Sequence, residues 1–295
     1  MTIHAASASP DINSLLAADD LRGAVALMID AVRQGQGDLK ARLILIDLLI
    51  LSGDLERADK QAAMAASLAP VQTVGLSLLR REIRGMDARR RWYEEAALPD
   101  FAGGPSEADR LAVKLSLALR ERDEAGAGEA RQALGALPVV QLSWNGAESG
   151  DFRDLDDRLP HALEVITSGG AYLWVDFAKI AHVEFAPDAR PRDLAWRRAR
   201  LRLQDGSVAD VLVPALYHGQ TYGQAAPTHG QADGEGNGQG HLQAESDALR
   251  LGRETFWVDG PAGLVSGIGQ RCFLAGDLMV AISEAVTITP GGNDA

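Results

Sequence analysis

The chain has 295 residues, enough for two ordinary domains, and 46% of them are apolar, which argues against a disordered chain. Its 29 lysines and arginines against 41 aspartates and glutamates give a net charge of −12, a poor basis for non-specific nucleic-acid binding, where phosphates must be neutralised. The single cysteine, Cys272, excludes an internal disulfide and a multi-cysteine zinc site and fits a reducing compartment.

Met1–Pro10 has neither the basic start nor the apolar core of a signal peptide. Asp11–Gly35 reads as a helical hairpin interrupted at Ala18-Asp19-Asp20. Asp38–Leu51 and Asp54–Ala69 form the clearest helix pair, with Ser52-Gly53-Asp54 supplying both the stop and the next N-cap. Leu43–Leu51 is apolar nearly all round and broken only by Asp47. It is too short to span a bilayer and reads as a helix sandwiched between others, so cytoplasm is the default location. Asp20-Leu21-Arg22-Gly23-Ala24 recurs 34 residues later as Asp54-Leu55-Glu56-Arg57-Ala58, and Pro70 and Pro138 lie two such periods apart. That is the period of the tetratricopeptide helix–turn–helix, whose units stack into a superhelix with a concave binding surface. Ala58, Ala65 and Pro70 fall where that pattern wants small, small and proline.

The third unit, Thr73–Ala97, is degenerate. Leu76, Leu79 and Ile83 give a helical stripe, Gly85-Met86-Asp87 reads as the turn, and Arg89-Arg90-Arg91-Trp92-Tyr93 forms an unusual second helix. That Arg–Trp–Tyr group resembles an interface hot spot, or equally an internal seam where arginine stems pack on rings. Pro99–Pro105 is a loop. Ser106 caps a helix through Arg120 carrying Leu111, Leu115 and Ala118, and Ala125–Leu137 is the last helix before Pro138.

At Trp144-Asn145-Gly146 the helical period gives way to alternation and turn signals. Ala171–Val175, Ile180–Phe185, Ala199–Leu203, Val208–Val213, Gly252–Val258 and Arg271–Leu274 are predicted strands, with a hairpin turn at Asp205-Gly206 and a short helix near Leu159–Ser168. The expected fold is α+β: a tetratricopeptide-like α-superhelix over residues 1–138, then a mainly antiparallel β domain over 139–295. A flexible, glycine-rich loop is expected at 221–243, with Gln231–Gly240 of low complexity.

No phosphate loop, zincin motif or nucleophile elbow is present, so no catalytic residue is assigned. Gly267-Ile268-Gly269-Gln270 lacks the context of a dinucleotide site and reads as a tight turn. His218, His229 and His241 could meet a metal with Asp233 or Glu235, but their spacing matches no rigid ligand frame, and neither metal nor cofactor is expected. Asp154, Asp156, Asp157 and Glu164 could do acid–base work; Arg153 and Arg158 beside them favour a structural network. Arg190, Arg192, Arg197, Arg198, Arg200 and Arg202 read as a solvated strand face that could also meet an acidic partner.

Three strings carry a resemblance. The first is Asp156-Asp157-Arg158-Leu159-Pro160 with Leu163-Glu164 and Gly170-Ala171-Tyr172-Leu173-Trp174. The second is Pro191-Arg192-Asp193-Leu194-Ala195-Trp196-Arg197-Arg198-Ala199, running on to Asp205-Gly206 and Val213-Pro214-Ala215-Leu216-Tyr217. The third is Leu251-Gly252-Arg253-Glu254-Thr255-Phe256-Trp257 with Gly267-Ile268-Gly269-Gln270-Arg271. In this order they resemble the ImpE family, also called SciE or TagJ, of bacterial type VI secretion accessory proteins, whose members carry an N-terminal tetratricopeptide-like region. The chain departs from the family where His218-Gly219-Gln220 replaces Pro-Gly-Ser after Tyr217, and in the insertion-like Gln231–Gly240.

The resemblance implies a non-enzymatic cytoplasmic adaptor. It would bind a helix of the small contractile-sheath subunit and assist sheath handling by a ClpV-type ATPase, with no nucleic acid and no membrane insertion. In tetratricopeptide-like units the first helix of each pair lines the concave surface, here Lys40, Leu43, Asp47, Ile50, Arg81, Arg84, Leu111 and Leu115. A buried, unpaired Asp47 would be costly, so it should pair with Arg81 or Arg84 or face an open groove. The alternative is a small-ligand binder or enzyme built on the β domain around Asp193, Trp196, Arg253, Trp257 and Arg271.

Overall fold

The computed structural model describes residues 11–219 and 246–291. The glycine-rich stretch at 221–243, with His229 and His241, lies outside the described residues. Helices α1 (Ile12–Ala17), α2 (Leu21–Gln34), α3 (Leu39–Leu51) and α4 (Leu55–Leu68) form two hairpins. A single long α5 (Thr73–Glu95) follows, and then the pair α6 (Glu107–Glu121) and α7 (Glu124–Gly135). Apart from that of α5, these helix starts are capped by a side chain. Asp11, Asp20, Asp38, Asp54 and Asp123 each accept a backbone N–H three residues on, and Ser106 makes a capping box with Asp109. Ala58, Ala62 and Ala65 are fully buried on α4, where small side chains let α3 and α5 approach closely.

The expected break at Gly85-Met86-Asp87 does not occur; α5 runs straight through it. One interior glycine costs a helix only about 1 kcal/mol, and here it has a packing reason. A Cβ on Gly85 would come within 2.4 Å of Ile166 Cγ2, so the missing side chain is what seats α5 on the sheet. The helix ends at Ala96 in the left-handed region, and Arg120 of α6 donates to the carbonyls of Trp92, Tyr93 and Glu94.

The strands are β1 (Asp100–Phe101), β2 (Val140–Trp144), β3 (Ala147–Asp154), β4 (Ala162–Thr167), β5 (Tyr172–Asp176), β6 (Ile180–Phe185), β7 (Trp196–Leu203), β8 (Val208–Pro214), β9 (Leu216–Tyr217), β10 (Thr255–Asp259), β11 (Val265–Gln270), β12 (Cys272–Ala275), β13 (Leu278–Ala281) and β14 (Thr287–Pro290). Among the described residues, eleven strands form one sheet in the order β1-β5-β4-β8-β7-β6-β14-β2-β3-β12-β13, antiparallel except for β1 on β5. A smaller sheet pairs β10-β11-β9. The helical first half and mainly antiparallel second half are the α+β architecture the sequence predicts.

The short helix expected near Leu159–Ser168 is instead strand β4. Its side chains alternate. Ala162 and Ile166 belong to the core shared with the helices, while Leu163 and Val165 belong to a second core inside the curled sheet. β5 and β8 alternate likewise, with Trp174 and Leu212 toward the helices and Val175, Val211 and Val213 inside. Gly267–Gln270 is strand rather than tight turn, paired antiparallel to β10, and the glycine leaves room for the Tyr217 ring, which a Cβ there would strike at 2.2 Å. The hairpin turns at Asn145-Gly146 and Gly206 use positive φ as their sequences suggest. Among the described residues no helix is long and apolar enough to cross a membrane.

Candidate partner-binding site

Where α5 crosses the sheet, the alternation of β4 points Glu164 at the helix. It is fully buried, and Arg89 of α5 donates to both of its oxygens at 2.9 Å. Arg271, Tyr93 and Tyr172 complete its shell. Burial alone would raise this carboxyl, but Arg89 and Arg271 outweigh it and hold Glu164 far below the usual range. Arg271 reaches on to Asp154 at 3.3 Å. Asp154 accepts from the Tyr217 hydroxyl, and burial together with Asp156 pushes it up to about 7 against the pull of Arg271. Arg158 pairs with Asp156, and Arg153 with Asp157, so the carboxylate string is a structural network. His218 stacks on Tyr93 at 4.8 Å; burial, with Arg89 and Arg158 nearby, brings it down to about 3. The Arg–Trp–Tyr group of α5 is thus an internal seam: Arg89, Trp92 and Tyr93 are buried, and only Arg90 and Arg91 face solvent.

The residues expected to line a concave groove are dispersed. Lys40, Arg81 and Arg84 are exposed, and Leu43 and Leu111 are half-buried. Asp47 and Ile50 are buried, and Leu115 belongs to a separate small core with Leu119, Ala127 and Leu264. Asp47 does not pair with Arg81 or Arg84. Its partner is Arg192, at 3.2 Å, because the 3-10 turn Pro191–Leu194 from the β half packs on α3 and brings its own cation. Of the β-half candidates only Asp193 and Trp196 come together, at one cleft, while Arg253, Trp257 and Arg271 lie elsewhere. Asp193 is buried and accepts the backbone N–H groups of Ala189 and Arg190. Arg253 binds Asp19 and the last carbonyls of α1, Arg271 lies in the seam, and Trp257 packs against Tyr217.

A cleft opens where the helical layer stops covering the sheet. Its volume is about 540 Å³, the size of a small-ligand or side-chain pocket. Ile166, Trp196 and Leu212 lie beneath it, almost closed off from solvent, Ala186 and Pro187 give it accessible apolar lining, Glu82 of α5 forms one wall, and Arg192, Asp193, Arg198, Arg200, Asp210 and Glu184 stand around it. The alternation of β7 explains the arginines. Arg198, Arg200 and Arg202 lie on the uncovered face and are exposed. Arg197 points the other way, is buried, and donates to the carbonyls of Ile282 and Ala285. The expectation of one solvated arginine face therefore fails at Arg197, and at Arg192, which pairs with Asp47.

Glu82 is the residue that sequence reasoning missed. It follows Leu79 by three and precedes Ile83 by one, on the margin of the buried stripe, and that margin was readable. That it meets no partner among the described residues was not, because the surrounding charges come from β7 and the Pro191–Leu194 turn.

Comparison with known proteins adds three findings. The family model described as ImpE protein matches residues 146–289. A Pseudomonas aeruginosa protein, the type VI secretion system accessory component TagJ, is 30% identical over 270 residues, covering 88% of this chain and 84% of its own length. A crystal structure of a Vibrio parahaemolyticus protein superposes with a TM-score of 0.79 at 24% identity, covering 95% of this chain and 97% of that one, which establishes the likeness of fold.

Proposed function

Since the chain belongs to the ImpE family of type VI secretion accessory components, we propose that it is a non-enzymatic adaptor of such a system, working in the cytoplasm. It binds a helix of the small contractile-sheath subunit and assists the handling of the sheath by a ClpV-type ATPase. The observation that carries this reading is the kinship to the Pseudomonas accessory component over nearly the whole of both chains, helical half included. Stacked helical hairpins are a common scaffold for gripping a partner helix. The exposed Lys40, Arg81 and Arg84, with the half-buried Leu43 and Leu111, are the groove residues still open to such a partner. The buried Asp47, Ile50 and Leu115 serve the fold instead. Calorimetric titration of the full chain with the small sheath subunit tests the reading. Micromolar or tighter binding, weakened in a K40E/R84E variant, is expected; no binding by the unmodified chain overturns it.

A further inference from the structure

The cleft between α5 and the outer face of β7 and β8 has an unbalanced set of charges once its contacts are counted. Each of its arginines is committed. Arg192 pairs with Asp47 at 3.2 Å, Arg198 donates to the Pro187 carbonyl and lies 3.7 Å from Asp193, and Arg200 meets Asp210 at 3.4 Å. Asp193 is further held by two backbone N–H groups. Two carboxylates are left over. Neither Glu82 nor Glu184 makes a hydrogen bond or ion pair among the described residues. Glu184 is exposed and well hydrated, but Glu82 is half-buried beside the apolar side chains beneath the cleft. A carboxylate removed from much of its water and given no donor is unfavourable for folding, and burial raises its proton affinity accordingly, with Arg192 and Arg198 only partly opposing.

We infer that this cleft receives a lysine or arginine of a partner protein, whose cationic head pairs with Glu82 while its methylene stem lies along the rim offered by Ala186 and Pro187. Three features fit that occupant. The unmatched charge in the cleft is negative, so an incoming cation completes it, whereas an acidic segment would have to compete with Asp193 and Asp210 for Arg198 and Arg200 and would face two open carboxylates. The accessible apolar lining is at Ala186 and Pro187, so a long cationic side chain can lay its methylene stem there with its head at the wall. The volume suits a few side chains rather than a whole helix, so the site is an anchor pocket for one end of a larger interface. The net charge of −12 adds long-range attraction for a basic segment.

This rests on the adaptor reading for the partner's identity but not for the chemistry of the cleft, and two measurements keep these apart. In the first, the small sheath subunit is titrated into the unmodified chain and into Glu82→Gln, a near-isosteric change that removes the charge. The expected result is a ten- to hundredfold weaker association, the size of a lost charge-assisted hydrogen bond. Equal binding by both overturns the cleft while leaving the adaptor standing. If the unmodified chain does not bind the subunit, the adaptor reading fails and the second measurement decides the cleft alone. An acetylated, amidated Leu-Arg-Leu peptide should shift the methyl resonance of Ala186, and its citrulline and Leu-Glu-Leu counterparts should not. Equal shifts with all three peptides, no shift with the arginine peptide, or unchanged shifts in Glu82→Gln would each overturn the inference.

Discussion

Glu164 and Glu82 are carboxylates at opposite ends of the same contact, where α5 crosses the sheet. Glu164 is closed over completely and saturated by Arg89, Arg271, Tyr93 and Tyr172. Glu82 is half open, sits over apolar side chains and has no donor among the described residues. The lesson is one of accounting. A charge that serves the fold is supplied with partners from the fold, because a buried unpaired ion costs several kcal/mol. A charge left short of partners at the edge of a cleft serves something from outside. The degree of satisfaction, more than the degree of burial, separates the two regions.

The largest effect should come from breaking the saturated end. Glu164→Gln removes the anion that bridges Arg89 and Arg271, leaving Arg89 without its carboxylate partner and Arg271 with Asp154 alone. A loss of about 3–5 kcal/mol is expected, as for other buried pairs stripped of one partner. Urea denaturation of the full chain checks it, and a loss below about 1 kcal/mol would mean the seam relaxes by admitting water. A smaller loss, about 1–3 kcal/mol, is expected for Gly85→Ala, whose Cβ would overlap Ile166 and crowd the Gly170 carbonyl at 3.1 Å. That variant separates helix propensity from packing, since alanine is otherwise the better residue in a helix.

Gly85 also marks the limit of what the sequence made legible. The helical hairpins were readable because their signals are local: aspartate caps, a 34-residue recurrence and alanines at close contacts. Six of the fourteen strands among the described residues, β5, β6, β7, β8, β10 and β12, were readable from alternation bounded by turns. Gly85 was misread as a turn because its reason is Ile166, 81 residues away, and β4 was misread as a helix because strand and helix compete for short apolar runs. The pairing of Asp47 with Arg192 was unreadable for the same cause: the cation arrives on a turn 145 residues later. The three strings of the β half carried the family, whereas the cleft depends on where the helical layer happens to end.

A third expectation concerns pH. His218 titrates near 3 in the fold, below the ordinary histidine value of about 6.5. Its contribution to stability is therefore complete above about pH 6.5 and is lost as pH falls toward 3. Asp154 is raised to about 7 from an ordinary value near 4. Its contribution is complete below about pH 4 and is lost as pH rises toward 7. Between about pH 4 and 6.5 the two slopes oppose each other, each at most about 1.4 kcal/mol per pH unit. His218→Gln should unmask the Asp154 slope, making stability fall with rising pH in that window. Asp154→Asn should do the reverse. Denaturation midpoints at pH 4.5, 5.5 and 6.5 check both signs, and parallel curves for all three proteins would mean the two groups do not titrate as the seam dictates.

The smallest effect is the most telling about the cleft. Glu82 is desolvated, with Arg192 and Arg198 compensating only in part, and its carboxyl is raised mainly by burial, so its contribution to stability declines as pH rises through its folded value. Glu82→Gln removes a charge that the fold does not satisfy and keeps the shape. At pH 7 the variant should be as stable as the unmodified chain or slightly more so, by up to about 1 kcal/mol, and the gain should vanish at pH 4, where the carboxyl is protonated anyway. Thermal unfolding at the two pH values measures this. A destabilised variant would mean that Glu82 has a structural partner and belongs with Glu164 as part of the fold. A variant that gains stability at pH 7 while losing affinity for a cationic partner would place Glu82 among residues kept for binding against the interest of folding, which is the distinction between Glu164 and Glu82.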